Sequence, residues 1–168
     1  MRRVISTAVV VWAAALLAAA AGQARPDFTG KWTFVPGKSV TQARGANAVR
    51  SAPPFGAEFT ARQDAASLTI QTAQTPSGTT YKFDGSELKS GRAAAPGQPE
   101  VQAVSRAAWD GKSLVITTTS TMSLAGQSHT TKSIKTLSLA SDGTLVVETS
   151  GTLDGVAAPV LRSVYAKS

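Results

Sequence analysis

The sequence predicts an all-β fold, an antiparallel up-and-down meander of about eight to ten strands closed into a barrel. Three observations carry that prediction. Beyond residue 24, no window repeats its apolar positions at the 3.6-residue period of a helix, whereas alternation of apolar and polar residues recurs throughout. The alternating stretches are punctuated by Asp84-Gly85, Asp110-Gly111 and Asp142-Gly143, pairs that suit tight hairpin turns. Finally, so many short strands in one domain cannot lie in a flat open sheet without leaving edges, and closure removes them. A two-sheet sandwich is the other architecture the pattern allows.

The first 24 residues stand apart. Met1-Arg2-Arg3 is a basic start, residues 4–21 form an Ala-rich apolar run, and Gly22-Gln23-Ala24 supplies small residues after it. This is the three-part layout of a secretory signal peptide, with cleavage near Ala24. The run is also close to the length of a membrane anchor, but its alanine content keeps its hydrophobicity modest and a small-residue site follows at once. With no cysteine in the chain, a lipid-modified N-terminus is excluded. The expected mature protein is one exported domain, residues 25–168, without a transmembrane segment after processing. The chain carries 17 Lys+Arg and 10 Asp+Glu, net +7; Arg2 and Arg3 belong to the leader, which leaves +5.

The strands follow in order. Residues 29–35 place Trp32 and Phe34 on one face. Residues 58–63 lead through Asp64 into 68–71. Residues 79–83 lead through Asp84-Gly85 into 87–89, and 101–109 through Asp110-Gly111 into 114–119. Residues 130–139 lead through Asp142-Gly143 into 145–149, and 159–166 close the chain. Asp64-Ala-Ala-Ser-Leu-Thr-Ile, Asp110-Gly-Lys-Ser-Leu-Val-Ile and Asp142-Gly-Thr-Leu-Val-Val share one logic. A strand ends, an Asp side chain bonds the turn backbone, a small residue takes the corner, and a β-branched strand returns. Two segments break the rhythm and read as long loops at the open end of a barrel. Residues 38–54 carry Lys38, Arg44 and Arg50 before Pro53-Pro54-Phe55, and residues 89–99 are rich in Gly, Ala and Pro.

The opening Asp27-Phe28-Thr29-Gly30-Lys31-Trp32 resembles the Gly-x-Trp start of the lipocalin and fatty-acid-binding protein group, the calycins. The closing Leu161-Arg162-Ser163-Val164-Tyr165-Ala166-Lys167 resembles the Arg-x-Val-Tyr-x-Lys ending of the fatty-acid-binding branch, with the arginine displaced by one residue. Nearly all of residues 25–168 is also similar to small exported bacterial proteins with an Asp-Phe-Ser/Thr-Gly-x-Trp start, a Trp-Asp-Gly-x-x-Leu hairpin and a Val-Tyr-x-Lys end. The resemblance implies a lipocalin-like barrel. It also implies that a guanidinium from the last strand, Arg162, lies across Trp32 and closes one end. The Thr-Asp-Tyr-like turn of lipocalins is absent, and no helix-turn-helix lid is evident after the first strand.

Little catalytic chemistry is visible. Zero cysteine excludes disulfides, thiolate metal sites and a cysteine nucleophile, and His129 is the only imidazole. Ser128 precedes it on a strand and points to the opposite face, so a rim histidine is the better reading. Asp64, Asp84, Asp110, Asp142 and Asp154 belong to turns; Glu58, Glu87, Glu100 and Glu148 are scattered. No Gly-x-Ser-x-Gly elbow, metal-binding loop or paired-carboxylate spacing occurs, so no cofactor or metal is expected. The positive residues stand singly without aromatic interleaving, which argues against nucleic acid. The 38–54 loop would suit an anionic envelope surface, although a solvated loop accounts for it as well.

One run of hydroxyls is distinctive. Thr118 shares strand parity with Leu114 and Ile116, which would turn its hydroxyl into an apolar interior; Thr simply covering a solvated face is the plainer account. The expectation that follows is a non-enzymatic carrier of a small apolar or amphipathic ligand, such as a lipid-like metabolite. Phe34, Ile70, Phe83, Ile116, Thr118 and Val147 are its candidate cavity residues, and Trp32 with Arg162 its closure. The alternatives are a cavity-free interaction module using the 38–54 and 89–99 loops, and a hydrolase at the barrel mouth.

Overall fold

A computed structural model describes residues 24–40, 52–93, 99–124 and 126–168. The leader through Gln23 and the loop residues Arg44 and Arg50 lie outside the described residues. The chain forms β1 (Gly30–Phe34), a short 3-10 turn (Pro36–Lys38), β2 (Glu58–Gln63), β3 (Ser67–Thr72), β4 (Thr79–Lys82) and β5 (Leu88–Arg92). Then come β6 (Val101–Asp110), β7 (Ser113–Leu124), β8 (Gln127–Leu139), β9 (Leu145–Leu153) and β10 (Val156–Lys167). All ten pair antiparallel in one sheet of order β4-β3-β2-β1-β10-β9-β8-β7-β6-β5. The sheet curls until β4 comes against β6, giving a nearly closed barrel in place of a sandwich.

The connections sort the turns by end. The β2–β3, β4–β5, β6–β7 and β8–β9 turns, carrying Asp64, Asp84, Asp110 and Asp142, share one end of the barrel. At Asp64 the carboxylate accepts from the amides of Ala66 (2.8 Å) and Ser67 (2.7 Å), at Asp84 from Ser86 (2.9 Å), and at Asp142 from Thr144 (3.0 Å). The turn role read for these three aspartates is therefore their role in the fold. Asp154 behaves differently. It sits in the left-handed region (φ 49°) at the opposite end, and its carboxylate reaches across to β8, accepting from Thr130 N (2.7 Å) and lying 2.7 Å from His129 Nδ1. The single histidine thus fastens the β9–β10 turn to its neighbour at the barrel rim.

The segment read as a loop over residues 89–99 needs correction. Leu88–Arg92 is strand β5, paired with Val101–Ser105 of β6. Its small residues are what permit the pairing: a Cβ on Gly91 would come within 2.7 Å of the Val101 carbonyl. The glycine that looked like loop composition here fits a close backbone approach. Residues 94–98 lie outside the described residues.

One end of the barrel is closed by the N-terminal arm. Phe28, fully buried, stacks on Trp109 (centroids 5.8 Å, 9° between planes), and Phe83 meets the same indole edge-on at 5.3 Å. The arm is tied down by Gln63, whose side chain donates to Pro26 O (2.9 Å) and accepts from Phe28 N (3.1 Å). Trp32, 1% exposed, donates from Nε1 to Phe28 O at 2.8 Å. Leu68, Leu114, Leu137, Leu145 and Val147 fill the interior around these rings.

The cation over Trp32 is not the one expected. Lys167 Nζ lies 5.7 Å from the ring centroid, while Arg162 is exposed and donates to Lys38 O at 3.2 Å. Strand parity is the reason. Ser163 and Tyr165 point inward and are buried, so Arg162 points out, opposite Glu148. Lys167 pairs directly with Trp32 in register, and its stem crosses Gly30, where a Cβ would collide with Lys167 Cε at 2.5 Å. The glycine of Gly-x-Trp is therefore a floor for the lysine that covers the tryptophan.

Candidate ligand site at the open end of the barrel

The strands that line the interior change character along their length. One level of paired residues across β6 to β9 reads Trp109, Leu114, Leu137, Val147. The next reads Ala107, Ile116, Lys135, Thr149, and the one beyond it Ser105, Thr118, Ser133, Gly151. The interior thus turns from apolar to hydroxylic away from the plugged end, with a lysine at the boundary. Ser105 and Thr118 bond each other at 2.8 Å, which satisfies both hydroxyls on an inner face. The strands differ in length as well: β1 to β5 have four to six residues, β6 to β10 nine to thirteen. The long strands extend past the short ones at the open end.

A cavity of about 380 Å³ occupies this end. Residues 52–56, Ile70 and Thr72 of β3, Thr79 and Tyr81 of β4, and Lys135 of β8 border it. Four strands, β2, β1, β10 and β9, separate β3 from β8 in the sheet, so a space touching both lies inside the barrel wall. Phe55 forms part of its rim by a definite device. Its amide donates to the buried Tyr165 hydroxyl at 3.3 Å, and its ring meets Phe59, which packs edge-on against Tyr165. Burial raises the Tyr165 phenol to about 12 and pushes the Tyr81 phenol up in the same direction, so both stay neutral. Burial lowers Lys135, because a desolvated ammonium is disfavoured.

Of the residues singled out by sequence, Ile70 borders the cavity. Ile116 and Val147 are buried in the packed core below it. Phe34 packs against that core, edge-on to Tyr165 at 5.6 Å, and Phe83 belongs to the aromatic plug at the opposite end. Thr118 points inward as its parity predicts, engaged with Ser105. Sequence reading missed Phe55, Thr72, Tyr81 and, above all, Lys135. A signal for the last was present: Lys135 shares strand parity with Leu137 and Leu139, so alternation puts an ammonium on the apolar face.

Among the described residues no group of three or more His, Cys, Asp or Glu could hold a metal ion, and no helix is long and apolar enough to cross a membrane. In comparisons with known proteins, no family model, no curated protein and no solved structure matches the chain.

Proposed function

We propose that this chain is an exported, non-enzymatic binding protein that holds a small amphipathic ligand inside the barrel. The observation that carries the reading is the cavity of about 380 Å³ bordered by strands from opposite walls. Its volume lies in the range of small-molecule sites, and its lining mixes a few polar groups with rings and aliphatic carbon. Export rests on the basic, apolar and small-residue layout of residues 1–24. The nearly closed antiparallel barrel is compatible with a container, and fold alone does not fix a ligand.

The test is native mass spectrometry of the mature chain purified from its own cell envelope. A co-purifying small molecule that is lost on mild activation is the expected result; a bare mass under every gentle condition would overturn the reading. A contact module is the second reading, favoured by Leu153, Val156 and Val160, which are 53%, 73% and 63% exposed on the β9–β10 hairpin. Cross-linking from that hairpin to one protein partner, together with a bare mass, would establish it.

A further inference from the structure

We propose that the cavity is an organic-anion site, taking a small carboxylate or phosphate monoester whose negative group pairs with Lys135 while its body lies on Phe55, Ile70 and Tyr81. This rests on the barrel being a container and adds the charge of the ligand and its anchor.

Lys135 carries a charge that no carboxylate of the chain pairs with. Lys135 borders the cavity and is half-buried, between Ile116 of β7 and Thr149 of β9 in register. All ten Asp and Glu of the chain lie among the described residues. Among them Lys31, Lys38, Arg106 and His129 each have a carboxylate within 4.0 Å, whereas Lys135 has none. Among the described residues its one hydrogen bond is a long one, 3.4 Å to Ser133 Oγ. Thr149, directly opposite on β9, has its hydroxyl buried with no partner among the described residues. Two neighbouring polar groups are therefore short of partners, and one of them, Lys135, borders the cavity.

A lysine with no interior role would extend its flexible stem to water. An ammonium held among strands and left unpaired is costly, and an anion brought by a ligand would remove that cost. The remaining lining suits a compact body, since Phe55 and Tyr81 offer ring faces and Thr72 and Thr79 offer hydroxyls. Burial has also lowered the lysine's proton affinity, so binding an anion there should raise it and take up protons.

Isothermal titration with three probes decides it: phenylacetate, phenyl phosphate and the neutral isostere phenylacetamide. The wild-type chain should bind at least one of the anions about tenfold or more above the amide, the scale of a charge-assisted bond. The tighter anion identifies the headgroup. Lys135→Met should bring the anion down to the level of the amide, and Lys135→Arg should keep the preference. A neutral fluorescent probe, N-phenylnaphthylamine, reports the cavity independently. If that probe binds but the anions show no preference, or if Lys135→Met retains it, the anion assignment fails and the container stands. If neither the probe nor any of the three compounds binds, both fail.

Discussion

At the end of the barrel where the Asp64, Asp110 and Asp142 turns lie, the chain's own arm fills the opening. Phe28 stacks on Trp109, Gln63 holds the arm in place, and the Trp32 indole is both hydrogen-bonded and covered by Lys167. At the other end the short strands stop early, the inner face carries Ser and Thr, and Lys135 borders a space that the described residues do not fill. Both ends share the long strands β6 to β10 and the same inward parity. Each end keeps one buried polar atom without a partner among the described residues, Trp109 Nε1 in the plug and Thr149 Oγ1 on β9. What differs is that the arm fills one end while Lys135, with no carboxylate within 4.0 Å, borders open space at the other. The packed rings make the plugged end the scaffold, and the proposed ligand site lies at the end the arm leaves open.

The largest way to break this contrast is to empty the plugged end. Trp32→Ala and Phe28→Ala each remove a fully packed ring, and each should cost about 3–5 kcal/mol in chemical denaturation. At the cavity end Tyr81 is only half-buried at the wall, so Tyr81→Ala should cost clearly less. Equal losses at the two ends would mean that the cavity end is as much a stability element as the plug.

Lys135→Met sharpens the contrast from the other side, because the change should stabilise. The folded chain holds this ammonium below its ordinary 10.5. Its penalty is therefore full below the folded value and disappears as pH rises to the unfolded one. The variant should melt roughly 2–4 °C higher at neutral pH, and the gain should shrink as pH approaches 10.5. A lower melting temperature at neutral pH would mean that Lys135 is a structural residue already satisfied, which would also undercut its role as an anion anchor.

How much of this was readable beforehand follows from what each feature depends on. Strand existence and turn position depend on local parity and on Asp-Gly chemistry, so the meander and the roles of Asp64, Asp84 and Asp142 were legible residue by residue. β5 was partly legible: Leu88 and Lys89 fall in the strand read over 87–89, but Ser90-Gly91 looks like loop until Val101 is placed against it. The Trp32 cover was half legible: the tryptophan follows from its motif, but choosing Lys167 over Arg162 requires register. The cavity was least legible. Ile70, Ile116 and Val147 share an inward parity, yet only the first borders the open space, since parity tells in from out and says nothing of height along the barrel axis.

A smaller effect tests the turns of the plugged end. Thr144 side-chain and backbone hydrogen bonds, with Lys38 nearby, hold Asp142 at about 2, down from 3.8. A depressed carboxylate contributes stability that is present above its unfolded value and lost as pH falls through its folded one. Asp142→Ala should therefore melt below wild type at neutral pH, and the gap should close as pH drops from about 4 toward 2. A gap that stays constant across that range would assign the loss to backbone conformation in the turn and not to the charge.

The smallest effect separates the two candidates for the Trp32 cover. Lys167→Met keeps much of the aliphatic stem that crosses Gly30 but removes the cation, an exposed cation–π contact of about 0.5–1 kcal/mol. That corresponds to a fall on the order of 1–3 °C. Arg162→Ala removes an exposed guanidinium bonded to one carbonyl, and leaves intact the backbone bridge from Arg162 to Val40, so it should fall by less. Parity makes the order firm, because inverting it would require residue 162 to face inward. That would turn Ser163 and Tyr165 out of the core and break the Phe55–Tyr165 hydrogen bond at the cavity rim. A larger loss for Arg162→Ala would thus disprove the register of β10 and, with it, the connection between the plugged end and the open one.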